Sequence, residues 1–160
     1  MGTPDAVPEW RGRDLDDTTE IAEMVRRFYA DVAQDEILGP MFNEVARVDW
    51  SEHLPKLTAF WSRALLARPG YQGNPYRAHL LVHAQRPFTR AHFERWLELF
   101  HETLDGGWQG ARVEQAKLLA AKVAFVHSKQ LTGDAVVASS VVAQAVTAGA
   151  TGAVDLRGAR

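Results

Sequence analysis

An all-α domain is the fold class this sequence predicts, and three observations predict it. Apolar residues recur at i, i+3, i+4 and i+7 through several segments, and no strand-like alternation of any length occurs. Asp/Glu capping patterns and Gly/Pro pairs punctuate those segments where helices should start and stop.

The elements follow in order. Asp17-Thr-Thr-Glu20 offers a capping box ahead of Ile21, Met24, Val25, Phe28, Tyr29 and Val32, one face of a first helix that Gly39-Pro40 should stop. Met41, Phe42 and Val45 suggest a turn or two. Asp49-Trp-Ser-Glu52 repeats the capping pattern before Leu54, Leu57, Phe60, Trp61 and Leu65. Pro55 falls in the second turn of that helix and should distort it near His53. ARPGYQGNP (67–75) has the composition of a loop, and a short helix is expected from Tyr76 to His83. Pro87-Phe-Thr89 then opens a long helix with Phe93, Trp96, Leu97, Phe100 and Leu104 on one face, weakened near its end by Gly106-Gly107. The last strong segment, 111–131, carries Val113, Ala116, Leu119, Ala120, Val123, Val126 and Leu131.

Residues 17–131 therefore read as one helical domain. The polar stretch 1–16 is expected to be a flexible arm, and the aromatic-free, small-residue segment 132–160 a low-complexity, mobile tail. At 160 residues with 46% hydrophobic and 24% charged side chains, the chain is long enough to bury a core unaided. No cysteine is present, which excludes disulfides, thiolate catalysis and Cys-ligated metal centres. A net charge of -2 gives no electrostatic reason to expect nucleic acid or an acidic membrane as partner. With no apolar leader and no membrane span, a cytoplasmic protein is the expectation; no surface pattern fixes its oligomeric state.

Polar-tipped aromatics and histidines gather on the apolar faces: Tyr29, His53, His79, His83 and Trp96, among Phe28, Phe42, Phe60, Trp61 and Phe93. Taken singly, an aromatic stripe at helical spacing is usually core, and a lone histidine on an apolar face is usually hydrogen-bonded core. Taken together they ask for something polar in the middle, because each buried phenol or indole N–H left unsatisfied costs ~1–3 kcal/mol. A metal-centred planar cofactor meets that demand. His79 and His83 are spaced to share a helix face, so a non-haem metal site is an alternative. Leu80 stands where a zinc hydrolase motif would have glutamate, and two ligands leave a tetrahedral site short. A cofactor-free helical interaction module is the other alternative.

Several anchors, in this order and spacing, resemble the group III truncated haemoglobins over roughly residues 20–131. They are Phe28-Tyr29, Leu38-Gly-Pro-x-Phe42, His53 followed by Phe60-Trp61, Gly73-x-Pro75 leading to His79, and His92-Phe-x-Arg-Trp96-Leu. The resemblance implies a shortened globin fold whose helices clasp one b-type haem (iron protoporphyrin IX). It places the proximal iron ligand on His79, after the Gly-x-Pro segment. The spacing back from His79 to Trp61 and His53 agrees with the family; the spacing forward to Trp96 suits His83 better, so His83 stays as the alternative. Only one of the two can take the iron.

On the opposite side the resemblance assigns Tyr29, His53 and Trp96, with Tyr29 and Trp96 as donors to a gas ligand and His53 as a gate or third donor. Phe42 is expected against the porphyrin face, and Phe28, Phe60, Trp61 and Phe93 as pocket walls, although plain core describes those four equally well. His92, His101 and His127 read as surface or helix-terminal residues with no role. The implied ligands are oxygen, nitric oxide and carbon monoxide, with nitric oxide dioxygenation or peroxide chemistry as the implied reactions. Any electron donor would be a separate reductase, since the chain has no G-x-G-x-x-G turn and no room for a flavin domain.

Overall fold

The computed structural model describes residues 12–133. Among them are five α-helices and one short π-helical turn, and no strand beyond an isolated bridge between Arg13 and Trp108. The helices are α1 (Thr18–Gln34), α2 (Trp50–Leu66), α3 (Pro75–Gln85), α4 (Arg90–Gly107) and α5 (Ala111–Thr132), with the π-helical turn at Met41–Val45 between α1 and α2. None is long and apolar enough to cross a membrane. Most of the expected low-complexity tail, from residue 134, and the first part of the expected arm, 1–11, lie outside the described residues.

The remainder of that arm packs onto the helices. Leu15 is fully buried, Gly12 N–H donates to Gly107 O, and Gln109 N–H donates to Arg13 O. The Asp14 carboxylate accepts the N–H groups of Arg112 and Val113, both at 3.0 Å, and so caps the first turn of α5 from the far end of the sequence. Gly110 is required there. Its φ is +139°, and a Cβ would collide with that carboxylate.

Asp17 caps α1 as its pattern predicts, accepting Glu20 N–H at 2.9 Å. The Glu20 side chain does not complete the box. Its carboxylate instead pairs with Arg13 at 2.9 Å and accepts the buried Trp108 indole N–H at 2.8 Å, tying the arm, α1 and the end of α4 together. The first helix ends before Gly39-Pro40, at Asp35, whose carboxylate takes the N–H groups of Ile37 and Leu38 and pairs with Arg95 of α4. Gly39 is needed for close approach, because a Cβ there would stand 2.9 Å from the Ala33 carbonyl.

Asp49 caps α2 through Ser51 N–H, and the helix runs on unbroken past Pro55 to Leu66. The Gly73-Asn-Pro75 motif proves to be a helix start: Asn74 accepts Arg77 N–H at 3.1 Å and Pro75 takes the first helical position, where its missing donor does no harm. The long helix α4 opens with a box of its own, His92 Nδ1 accepting Thr89 N–H at 2.9 Å.

The core sits between α1, α2, α4 and α5. Trp61 stacks on Phe100 (5.0 Å between ring centroids), Trp96 stacks on the same ring (5.7 Å), and Phe28 meets it edge-on (5.1 Å). The face of α5 that enters the core is made of small residues (Ala116, Ala120, Ala121, Ala124), all buried. By contrast, none of the described side chains on α3 is fully buried, and Leu80 and Leu81 there are exposed.

Candidate functional site

A cavity of about 390 Å³ opens among the five helices and the π-helical turn, within the ~300–1,000 Å³ range of small-molecule sites. Most of its wall is apolar, and it receives Tyr29, Phe42, His53, Phe60, Trp61, His79, Phe93 and Trp96 of the expected set. Two expected residues do not line it. Phe28 is fully buried behind Tyr29 and Trp96, since consecutive residues of α1 project ~100° apart and only one can face the void. His83 lies at the end of α3, stacked on Phe88, with its Nδ1 accepting Phe88 N–H at 2.8 Å.

Two clusters of rings form the polar parts of the wall. In one, Tyr29, Phe42, Trp50 and His53 meet at centroid distances of 5.7–6.4 Å, with Phe42 stacked on Trp50. Burial dominates at the Tyr29 phenol and pushes it up to about 12, although the nearby Trp96 indole N–H favours its ionisation, so it is a neutral O–H at any ordinary pH. Burial, helped by nearby Lys56, lowers His53 below the usual imidazole range.

The other cluster is His79, Phe88 and His127. Here the structure corrects an expectation: His127, read as a residue without a role, is 2% exposed on α5 and brings its Nδ1 to 2.9 Å from Nδ1 of His79. Burial first, then the neighbouring His127 and His53, hold His79 at about 3; burial holds His127 at about 4. Both rings are neutral near pH 7, the form in which imidazole binds a metal. His92, also read as without a role, caps α4 and reaches the cavity wall.

Ring-nitrogen bookkeeping separates the two candidate ligands. Because Nδ1 of His83 accepts a backbone N–H, a neutral His83 carries its proton on Nε2 and has no lone pair left for a metal. In His79 the Nδ1 faces a second imidazole, His127, which can accept its proton, so Nε2 of a ring that lines the cavity can keep its lone pair for a metal. A neutral imidazole on one wall, O–H and N–H groups on another and flat aromatic rings around them fit a planar, iron-centred group. Among the described residues no three His, Asp or Glu side chains cluster as a metal site, so the non-haem alternative lacks ligands.

Five helices around an apolar cavity with an imidazole in its wall define a globin-like haem pocket. Residues 15–129 match the bacterial-like globin family, and the chain belongs to that family. Within it, the group 3 truncated haemoglobin of Campylobacter jejuni is 39% identical over 88 residues, covering 53% of this chain and 67% of that protein. The crystal structure of a group III truncated haemoglobin from Campylobacter jejuni superposes with a TM-score of 0.64 at 32% identity, over 72% of this chain and 91% of the other. The fold is thus the shortened globin expected from the sequence, and family membership carries haem binding and, through haem, the binding of diatomic gases.

Proposed function

We propose that the chain binds a b-type haem whose iron is held by Nε2 of His79, and that it retains oxygen and nitric oxide beneath Tyr29, Trp96 and His53. The observation that supports this reading is the different placement of the two histidines on α3: His79 lines the cavity with its Nδ1 beside an imidazole that can accept its proton, and His83 lies outside the lining with its Nδ1 on the Phe88 N–H. Bound haem would supply the reversible binding of a diatomic gas.

The chain's own residues supply the rest. Tyr29 and Trp96 both line the cavity, so a gas ligand bearing partial negative charge meets an O–H and an N–H donor already held in its wall. His53 stands beside Tyr29 at a centroid distance of 5.8 Å, placed as a third donor or a gate. Phe42, Phe60 and Phe93 line the cavity and exclude water, which strengthens each of those hydrogen bonds. A donor cage of this kind favours reaction in place over release, which supports nitric oxide dioxygenation, with electrons from a separate reductase, in a cytoplasmic setting.

The test is a set of three proteins, wild type, H79A and H83A, purified and given haemin. The expected result is a Soret band in wild type and H83A and loss of haem from H79A. The reverse pattern moves the iron to His83. Stopped-flow mixing of the oxygenated wild type with nitric oxide should yield nitrate stoichiometrically; absence of nitrate removes the dioxygenation reading while leaving the gas-binding one.

A further inference from the structure

His127 touches the proposed iron ligand through a ring nitrogen, and its role depends on His79 being that ligand. Two Nδ1 atoms 2.9 Å apart share a single proton: one ring donates and the other accepts. If Nε2 of His79 binds iron, that nitrogen carries no proton, so the proton of His79 is on Nδ1. The direction is then fixed, with His79 Nδ1–H donating to the lone pair of His127 Nδ1 and the proton of His127 on Nε2. We propose that His127 is the positioning residue of the proximal side, fixing the tautomer and rotation of the His79 ring and raising its basicity toward iron.

Placement in the fold supports this role. The proposed ligand sits on α3, where none of the described side chains is fully buried, whereas His127 sits on α5 among Ala120, Ala124 and Ser128, all buried. The rings meet edge-on, 75° apart with centroids 5.0 Å apart, so rotation of His79 about its own axis is blocked by a ring that cannot itself move far. The contact spans 48 residues and anchors the ligand of the loosest helix to one of the best-packed. Hydrogen-bonded partners of ligating histidines typically carry ~10–100-fold in metal affinity.

The experiment uses the full chain loaded with haem, in wild type, H127L and H127N, the asparagine oxygen restoring an acceptor near the lost Nδ1. In H127L the iron–histidine stretching band in resonance Raman should move to lower frequency. The ferric/ferrous midpoint potential should rise, and haem transfer to an acceptor protein should quicken by ~10–100-fold. H127N should recover much of each change. A frequency and potential unchanged in H127L, or changed equally in both variants, overturns the proposal, because either marks His127 as packing only. Should the leucine variant not fold, NMR of the ring nitrogens in wild-type haem protein decides: the Nε2–H tautomer of His127 is expected, and an Nδ1–H tautomer overturns it. A wild type that takes up no haem fails earlier, and sinks the function rather than this role alone.

Discussion

Around Phe100 the bundle is closed: Phe28, Trp61 and Trp96 pack on its ring, Glu20 ties Trp108 and Arg13 together, and Asp14 caps α5. Around α3 nothing comparable holds. That helix is fixed by its Asn74 cap, by the His79–His127 contact and by the bond from Phe88 N–H to His83 at its end, with a cavity of about 390 Å³ beside it. One half is closed by its own hydrophobic contacts, and the other leaves a cavity that a bound planar group would fill.

That division can be broken by experiment, beginning with the largest effect. H79A should lose haem entirely while keeping its helical circular dichroism, since the closed half does not depend on the ligand; loss of helicity along with the haem would break the comparison. F100A should cost ~3–5 kcal/mol in denaturant unfolding, the usual range for a deleted core aromatic, and a cost under ~1 kcal/mol would show that the closed half is not where stability resides. Y29F should speed oxygen dissociation roughly five- to tenfold in flash photolysis, the worth of one hydrogen bond of ~1–1.4 kcal/mol; an unchanged rate removes Tyr29 from the donor set.

Smaller effects sharpen the same picture. Spectrophotometric titration of wild type against Y29F should show one phenol ionising near 12 instead of near 10. Because the folded state holds this proton more tightly than the unfolded chain, the associated stability is complete below pH 10 and is lost as pH rises toward 12. H83A should keep its haem and cost only ~0.5–1.5 kcal/mol, from the Phe88 N–H left without its acceptor.

Much of this was legible in the chain. The caps at Asp17 and Asp49 and the apolar faces of α1, α2 and α4 are local, and local rules locate them; the start at Asn74-Pro75 is local too, but composition alone assigns 67–75 to a loop. Tyr29, His53, His79 and Trp96 all line one cavity. What stayed hidden depends on partners distant in sequence. Nothing local marks Asp14 as the cap of α5, or Glu20 as the acceptor for Trp108. His127 was partly recoverable: Val113, Ala116, Ala120, Ala124 and His127 continue one stripe at spacings of three and four, and extending it would have placed the ring inside. Phe28 takes the core reading of the two the sequence leaves open, since a core aromatic and a cavity aromatic share the same helical spacing.

The most direct measurement is titration of the haem-free full chain with haemin, followed by absorbance and by hydrogen exchange of the α3 amides. The expected result is saturation at one haem per chain, with a Soret band, and strong new protection across Pro75–Gln85 while exchange around Phe28 and Phe100 hardly changes. No haem uptake, or uptake that leaves α3 exchanging as before, would contradict the division between a self-sufficient core and a wall completed by haem.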